Sequence, residues 1–536
     1  MRGQSENPAL TVGSAAATAA LLGVAFLLAP PMGTDLAAQV ARADFVDRYG
    51  STPVDLGWYG GVNQHGYSLF TAWLGAQVGV PLLGGIAAVG AAAAFGWLLV
   101  RHRARRPLLG GVLGATVLVG NLVSGRVTFA VGLALGLLAL CAVCLQRPGR
   151  MPRLALAAVL AAAATWASPV AGLFTGLAGG ALLLSGLRRE SGGPGRRLPG
   201  GWQVDRPLAE SLVLCLAPAL ALAPMALLFG NGGTQPYSPE SMKINVAVAV
   251  VVFFLLPRRR RALRVGAVLT IFLLMGAYYL PSPIGSNALR LSMLFGIPLV
   301  AAFAALPRTV LAGVLAALFW WQPPVMLDDL GRAGSPETTA AFHRSLADEL
   351  SRRQPVGRVE VVPLRDHWES AYLPPQVPLA RGWERQVDTA RNALFYEGTL
   401  TPDRYAEWLR ARAVSYVALA PDAPLDRWGR AEAALIETGL PYLREVWRND
   451  TWRLYVVTDP TPLVAAPGRL LHSDQSAIRF AVDTPGPVQI RVRWSRWLTL
   501  TGPQGCVMAE GDNVTVRAEA AGEYRLGSSL RPSGHC

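Results

Sequence analysis

Charged residues are scarce in this sequence, and lysine is almost absent. Asp, Glu, Lys and Arg make up 16% of the 536 residues, whereas a soluble protein usually carries about a quarter. Lys243 is the single lysine, so nearly all of the positive charge is arginine. The 5 cysteines are too few for a disulfide scaffold. With 52% hydrophobic residues and a mean hydropathy of +0.32, the composition predicts an integral membrane part plus a water-exposed part.

The sequence also lacks the signatures of several enzyme classes. It contains no H-E-x-x-H zinc motif, no G-x-x-x-x-G-K-[ST] phosphate loop and no G-x-S-x-G nucleophile elbow. The Cys141-x-x-Cys144 spacing is typical of redox sites, but the pair lies among alanines and leucines of an apolar run, which favours a packing role.

Long apolar runs fill the first three fifths of the chain. A bilayer core of about 30 Å needs an apolar helix of roughly 20 residues, and such runs predict about eleven membrane spans. They lie near residues 9–30, 82–100, 108–124, 128–145, 154–167, 170–187, 208–230, 244–257, 264–280, 290–306 and 308–322.

Four basic clusters lie on alternate connections between these spans. They run from Arg101 to Arg106, Arg147 to Arg153, Arg188 to Arg206 and Arg258 to Arg264. The positive-inside rule places these clusters and the amino terminus in the cytoplasm. An odd number of spans then puts everything after about residue 323 outside. The net charge of +14 therefore reflects topology, and no nucleic-acid partner is predicted.

We therefore predict three regions. An α-helical polytopic membrane domain covers 1–323 and carries a first external loop at 31–66. An exported α/β domain follows at 324–460, where strand and helix patterns alternate, and an exported β-rich domain, a small β-sandwich, covers 461–536. Cys506 and Cys536 lie in this exported part, where oxidation is possible, and we predict a disulfide between them.

Polar residues gather at the outer ends of the predicted spans, where they are costly unless they serve a cavity or a partner. The candidate site residues are Asp35, Asp44, Asp47, Trp58, Tyr59 and His65 in the first loop, with Arg126, Asn287 and Arg290 near later spans. Taken singly, Asp35 also fits a helix cap, and the two arginines also fit interface anchors. Together these residues suit an anionic, lipid-linked substrate.

Two exported segments mix aromatic and charged residues, as sugar-binding sites do. They are Arg365-Asp-His-Trp-Glu369 and Arg381-Gly-Trp-Glu-Arg385. A solvated loop is the alternative interpretation for both segments.

At these residues the sequence resembles the GT-C superfamily of polyprenyl-phosphate-dependent glycosyltransferases, in particular the multi-span envelope sugar transferases of actinobacteria. The shared features are an inside amino terminus, a long first external loop with an acidic residue soon after the first span, and an exported carboxy-terminal domain. The resemblance implies a bacterial cell-membrane enzyme that moves a sugar from a polyprenyl phosphate to an envelope glycan or glycolipid on the outer face, with inversion.

The resemblance also implies roles for the site residues. An aspartate of the first loop would be the general base, and Asp35 matches that position best, with Asp44 and Asp47 as alternatives. Arg126, Asn287 and Arg290 can stabilise the charge that grows on the departing phosphate. The family's paired acidic motif is here only Asp44-x-x-Asp47, which leaves a divalent-metal requirement open, and no protein cofactor is expected.

Two other functions fit the same architecture. One is a transporter or flippase for envelope precursors, although the spans contain almost no ionisable residues at their middles and show no pair of repeated halves. The other is a non-catalytic envelope assembly protein.

Overall fold

Helices fill most of the first 330 residues, and strands are the regular elements of the last 80. The structure, a computed structural model, describes residues 7–147, 149–189, 196–198, 202–204, 208–323 and 325–536. Arg206 of the third basic cluster lies outside the described residues.

The helices are α1 (Pro8–Leu28), α2 (Leu36–Tyr49), α3 (Thr71–Val78), α4 (Val80–Arg101), α5 (Pro107–Val123), α6 (Val127–Cys144), α7 (Arg150–Ala167), α8 (Pro169–Gly186), α9 (Leu208–Phe229), α10 (Pro239–Leu255), α11 (Arg261–Tyr279), α12 (Leu289–Phe303), α13 (Arg308–Trp321), α14 (Leu327–Gly331), α15 (Ala340–Arg352), α16 (Glu369–Tyr372), α17 (Arg385–Arg391), α18 (Pro402–Ala411) and α19 (Gly429–Glu437). The strands are β1 (Val54–Asp55), β2 (Val62–Asn63), β3 (Leu187–Arg189), β4 (Arg196–Leu198), β5 (Trp202–Val204), β6 (Arg358–Val361), β7 (Val414–Leu419), β8 (Leu443–Arg448), β9 (Arg453–Val457), β10 (Gly468–Ser473), β11 (Ile478–Val482), β12 (Gly486–Ile490), β13 (Leu498–Thr501), β14 (Gly505–Glu510), β15 (Asn513–Ala518) and β16 (Gly522–Ser528).

These elements form two compact units. The membrane unit comprises Met1–Gly33, Tyr67–Gly230 and Thr234–Ala333. The carboxy-terminal unit comprises Thr34–Gly66, Asn231–Gly233 and Gly334–Cys536. The sequence analysis counts the first loop with the membrane domain, whereas in the structure residues 34–66 pack with the carboxy-terminal region.

Seven helices in the described part of the chain are long and apolar enough to cross a bilayer, which makes the chain a multi-pass membrane protein. They are Pro8–Leu28, Val80–Arg101, Val127–Cys144, Pro169–Gly186, Leu208–Phe229, Arg261–Tyr279 and Gly285–Phe303. The other predicted spans also form helices, namely α5, α7, α10 and α13, but these are shorter or less apolar. The total of eleven spans therefore stays a prediction.

Small residues let the first helix pack closely in the membrane unit. Thr11, Ala15, Ala19 and Gly23 are buried at four-residue spacing along α1, which places them on one face. That face lies against α4 and α5, where a Cβ added to Gly96 would lie 3.3 Å from the Ala15 Cβ. Close backbone approach through small residues is a general way for membrane helices to associate.

Three of the four basic clusters meet at one end of the membrane unit. Arg260 donates a hydrogen bond of 2.6 Å to the Arg103 carbonyl oxygen, which joins the fourth cluster to the first. Arg101 donates to the carbonyl oxygen of Cys144 at 3.2 Å, beside the second cluster. This arginine-rich end thus collects connections that the sequence predicts to share one side.

The arginine-poor connections meet at the opposite end of the same helices. The Leu69 N–H donates to the Trp166 carbonyl oxygen at 2.9 Å, which links the start of α3 to the end of α7. The Gln235 N–H donates to the Ser282 carbonyl oxygen at 3.0 Å. We call this the polar end of the membrane unit.

The carboxy-terminal unit contains a mixed sheet with the strand order β6-β7-β9-β8, in which β6 and β7 are parallel and the other pairs antiparallel. A hairpin forms between β8 and β9 at Asn449. The Asn449 Oδ1 accepts hydrogen bonds from the Thr451 and Trp452 N–H groups at 3.0 and 2.7 Å, as is typical of an Asx turn.

Two antiparallel sheets follow, with the orders β10-β11-β16-β13 and β12-β15-β14. Their facing side chains share one core, to which Phe480 and Tyr524 contribute from one sheet and Val488 and Val516 from the other. The sequence analysis missed β10 and β14. The chain turns between β14 and β15 at Gly511, which has a φ of +57°. A disulfide joins Cys506 of β14 to Cys536 at the chain terminus.

Candidate functional site

Gly33, where the first span leads into the loop, packs directly on a tight turn between α5 and α6. An added Cβ on Gly33 would lie 2.3 Å from the Val123 carbonyl oxygen and 2.5 Å from the Ser124 carbonyl carbon, and the φ of Gly33 is +92°. The Ser124 hydroxyl is buried in this turn with no hydrogen-bond partner among the described residues. A buried hydroxyl without a partner costs free energy, so this turn has unused hydrogen-bonding capacity beside the start of the loop.

Arg126 and Arg290 both lie at the starts of helices at this polar end. Arg126 directly precedes α6, and the Asn121 amide donates to its carbonyl oxygen at 3.3 Å. The Arg290 guanidinium lies 5.0 Å from the ring centroid of Phe129, three residues along α6. The structure therefore brings the starts of α6 and α12 together, whereas the role of the two arginines in binding a phosphate stays a prediction.

Asn287 lies on the turn before α12, and its amide donates to the Pro283 carbonyl oxygen at 3.4 Å. Gly285 in the same turn packs against Gln235, whose carbonyl oxygen would lie 2.0 Å from an added Cβ. Asn287 is thus held on the same turn that leads to Arg290.

A buried polar cluster behind this turn was missed by the sequence analysis. The Asn245 Oδ1 accepts hydrogen bonds from the Ser292 hydroxyl and the Gln322 amide, both at 2.5 Å. These residues come from α10, α12 and the end of α13, and each is at most 5% exposed. The only available signal was an isolated asparagine in an otherwise apolar run.

The close approach of Gly33 can be tested by Gly33→Ala. We expect the added methyl group and the positive φ to destabilise the membrane unit by about 2 kcal/mol or more. The measurement is the thermal unfolding midpoint of the full chain in detergent. Gly90→Ala in α4 is the matched control, because an added Cβ there meets nothing within 4 Å, and equal midpoints for the two variants would contradict the contact.

The three loop aspartates lie on or just before α2, in the carboxy-terminal unit. Asp35 is partly buried at the residue before the helix, without a cap hydrogen bond from its side chain. Asp44 is partly buried near Tyr372, and Asp47 is exposed. Burial raises the pKa of Asp44, Arg48 opposes this effect, and Asp47 adds to it.

Arg42 anchors α2 to the rest of the carboxy-terminal unit. Its guanidinium pairs with the Glu384 carboxylate at 2.8 Å, and both side chains are at most 5% exposed. The same guanidinium lies 5.4 Å from the Trp58 ring centroid. An arginine among alanines in the loop was the sequence signal for this anchor, and the sequence analysis did not use it.

Trp58 and Tyr59 are buried in the carboxy-terminal unit. The Trp58 indole N–H donates to the Ser370 carbonyl oxygen at 3.0 Å, and the Tyr59 hydroxyl donates to the Gly382 carbonyl oxygen at 2.7 Å. Both rings therefore tie the loop to residues more than 300 positions away. Their predicted contact with substrate stays a prediction, because these contacts describe a packing role.

Asp55 is the second residue of β1, and His65 lies just after β2. Burial lowers the pKa of His65, and a hydrogen bond to the Ser51 backbone opposes this effect. Burial raises the pKa of Asp55 to about 7, although the Gly57 N–H and the Gln64 amide donate to its carboxylate at 2.7 and 3.0 Å. The buried Asp55 carboxylate thus links the start of the β1–β2 connection to Gln64 after β2 by hydrogen bonds. Among the described residues, no group of three or more His, Cys, Asp and Glu side chains is suited to a metal ion.

Trp383 holds the residue that precedes Asp35. The Trp383 indole N–H donates to the Thr34 carbonyl oxygen at 2.5 Å. Its ring stacks on His367, with centroids 3.4 Å apart and planes inclined by 13°. The Arg385 guanidinium also lies 4.4 Å from the Trp383 centroid. The backbone at the start of the loop is therefore fixed by a stacked and charged cluster.

Carboxylates complete this cluster. The His367 ring nitrogens lie 3.3 Å from a Glu369 oxygen and 3.2 Å from an Asp426 oxygen, and Arg385 pairs with Asp426 at 2.7 Å. Burial by itself would lower the pKa of His367, but the two carboxylates outweigh this effect and raise the pKa. His367, Glu369 and Trp383 are all less than 9% exposed, so these parts of the two aromatic and charged segments are not solvated loops.

Removing the Trp383 indole donor should disturb the start of the loop while leaving the fold intact. In Trp383→Phe, the aromatic ring can still stack on His367, but the hydrogen bond to Thr34 is lost. We expect the turnover of the reaction proposed below to fall roughly ten-fold with an unchanged KM, because small displacements of a catalytic group lower the rate. Trp428→Phe is the control, because Trp428 also contacts Arg385, at 4.3 Å; an equal loss in both variants would contradict the role of Trp383.

Comparisons with known proteins add structural similarities at low sequence identity. No protein-family model and no curated protein matches the sequence. The chain is similar to arabinofuranosyltransferase AftD from mycobacteria, with a TM-score of 0.46 and 14% identity over 97% of this chain and 57% of that one. It is also similar to the oligosaccharyltransferase AglB from Archaeoglobus fulgidus in complex with an inhibitory peptide and a dolichol-phosphate, with a TM-score of 0.42 and 11% identity over 76% of this chain and 69% of that one.

The chain spans little more than half of the length of AftD. At these TM-scores and identities, neither an activity nor a substrate follows for this chain.

Proposed function

We propose that the chain is a GT-C-type membrane glycosyltransferase. It transfers a sugar from a polyprenyl-phosphate donor to an envelope glycan or glycolipid acceptor on the outer face of the membrane. Asp35 is the general base, and Arg126, Asn287 and Arg290 bind the donor phosphate.

The observation that carries this proposal is the packing of Gly33 on the Ser124 turn. Cα atoms two residues apart are separated by at most about 7 Å, so the chain itself keeps Asp35 close to Gly33. Arg290 approaches the start of α6, which Arg126 precedes, through Phe129. The two guanidinium groups can therefore serve one phosphate, and the position of Asp35 soon after the first span supports it as the base.

The chemistry divides between these groups. The Asp35 carboxylate removes the proton from the acceptor hydroxyl as its oxygen attacks the sugar carbon. The bond between that carbon and the phosphate oxygen breaks, and the negative charge that appears on the polyprenyl phosphate is stabilised by Arg126 and Arg290. A single displacement inverts the configuration at the sugar carbon.

Orientation is tested separately, by single cysteines and a membrane-impermeant thiol reagent. A cysteine at Gly398, in an exposed turn of the carboxy-terminal unit, should be labelled in intact cells. A cysteine at Gly193, which lies outside the described residues, should be labelled only after lysis, because the positive-inside rule places its connection in the cytoplasm. Labelling of Gly193→Cys in intact cells would reverse the orientation and exclude an outer-face reaction.

The function itself is tested by transfer of radiolabelled sugar from a polyprenyl-phosphate donor by membranes with and without the protein. We expect product only when the protein is present. A flippase for envelope precursors is the alternative, and it predicts movement of the labelled lipid across the bilayer without transfer of its sugar.

A further inference from the structure

The membrane unit contains a cavity of about 490 Å³ whose lining comes mainly from α4, α6, α8, α11 and α12. Apolar side chains such as Leu98, Leu137 and Phe295 line its interior. The hydroxyls of Thr175 and Thr270, which also line it, donate to carbonyl oxygens of their own helices at 2.9 and 2.8 Å. The size is that of a ligand pocket, and the interior suits a hydrocarbon chain.

Charged side chains line the cavity where it meets the arginine-rich end. Glu210 is compensated there, because Arg153 pairs with it at 3.1 Å and Arg150 lies 3.5 Å away. Arg260 is held by its hydrogen bond to the Arg103 carbonyl oxygen and lies 5.1 Å from the Phe303 ring centroid.

Arg259 and Arg261, on either side of Arg260, also line the cavity and are exposed. Three consecutive arginines therefore lie next to the apolar interior of the cavity. The nearby carboxylate, Glu210, is already paired with Arg153 and Arg150. An anionic head group on an apolar chain matches this combination of charge and surface, because basic pockets between membrane helices bind anionic lipid head groups.

We propose that this cavity binds an anionic phospholipid of the bilayer, with one acyl chain between the helices and the phosphate at Arg259 and Arg261. The arginines that line the cavity lie at the opposite end of the membrane unit from Gly33, whereas the lining also reaches Leu291 and Ser292 beside Arg290, so the test below has to separate this lipid from the proposed sugar donor. The inference does not rest on glycosyl transfer.

The test is a lipid titration of the delipidated full chain, followed by native mass spectrometry. Phosphatidylglycerol should bind more tightly than phosphatidylcholine with the same acyl chains. In Arg259→Gln/Arg261→Gln, affinity for phosphatidylglycerol should fall about ten-fold or more, because each basic residue near a lipid phosphate contributes strongly. The control Arg103→Gln/Arg258→Gln removes the same charge at the same end from residues that do not line the cavity, and its affinity should not change.

A second variant tests the chain-binding part. Ala178 lines the cavity, and Ala178→Leu should lower the affinity for both lipids by partly filling the space. The proposal is overturned if phosphatidylglycerol and phosphatidylcholine bind equally, or if the two arginine double variants lose affinity equally. It is also overturned if undecaprenyl phosphate displaces phosphatidylglycerol and shows the same ten-fold loss, since the cavity would then belong to the donor.

Discussion

Replacing Asp35 by asparagine should lower the rate of sugar transfer by about two to four orders of magnitude, the usual contribution of a positioned general base. Asparagine keeps the size of the side chain but cannot accept the proton of the acceptor hydroxyl. Asp35 is partly buried and does not cap α2 through its side chain, and the expression level and the unfolding midpoint of the variant are measured together with its rate, so that a lost fold is distinguished from lost chemistry. The measurement is transfer of radiolabelled sugar by membranes with matched amounts of protein.

Asp47→Asn is the matched control for this variant. It makes the same chemical change on the same helix, at an exposed position, and should leave the transfer rate unchanged. Full activity in Asp35→Asn together with loss in Asp47→Asn would move the general base to Asp47. Loss in Asp44→Asn alone would move it to Asp44.

Arg290→Ala should raise KM and lower turnover together, because it removes a charge-assisted contact to the donor phosphate.

The largest expected effect on stability comes from Arg381, which lies between two buried carboxylates. Its guanidinium donates to Glu360 at 2.8 Å and pairs with Glu432, and both glutamates are fully buried. The Tyr405 hydroxyl also donates to Glu432, at 2.8 Å. Removing one partner of a buried ion pair leaves an uncompensated charge, which typically costs about 3–5 kcal/mol.

We therefore expect Arg381→Met to lower the unfolding midpoint of the carboxy-terminal unit by on the order of 10 °C. The measurement is thermal unfolding of the full chain in detergent, followed by tryptophan fluorescence. Arg448→Met is the control, because Arg448 forms an exposed pair with Glu445 at 3.1 Å and such pairs contribute little. Equal shifts in the two variants would contradict the importance of the buried network.

The effect of Arg381→Met should also depend on pH. Burial raises the pKa of Glu360, while Arg381 opposes this and Glu432 adds to it. A raised pKa in the folded state gives stability that is present below the ordinary carboxyl pKa and is lost as pH rises through the raised value. Without Arg381 the pKa rises further, so the loss of stability should be smaller at pH 5 than at pH 8. A loss that is the same at both pH values would exclude charge burial as its cause.

Local patterns in the sequence predicted much of the fold. Apolar runs of the required length predicted helices, and alternating strand and helix patterns predicted the mixed α/β composition of residues 324–460. These predictions succeed because hydrophobic periodicity and chain length act over neighbouring residues. The weakly patterned strand β14 was missed, since its Gly-Cys-Val-Met-Ala-Glu sequence has no clear alternation and its pairing with β15 is needed to define it.

The candidate site shows the same difference between what local patterns predict and what long-range contacts decide. The residue types at Asp35, Arg126 and Arg290 indicated chemistry on a lipid-linked substrate, because a carboxylate can accept a proton and guanidinium groups can bind a phosphate. The approach of Arg290 to the start of α6 could not be read from any local pattern. Phe129 and Arg290 are more than 150 residues apart, yet they lie 5.0 Å from guanidinium to ring centroid.

The sequence by itself determined the membrane class, the helices, and the alternation of arginine clusters that predicts orientation, because each depends on composition within short windows. Only the tertiary structure decided where the first loop belongs. Trp58 donates to Ser370, Tyr59 to Gly382, and Trp383 to Thr34, and these pairs join residues more than 300 positions apart. Such contacts arise when distant segments bury their surfaces together, so no stretch of sequence shows them alone.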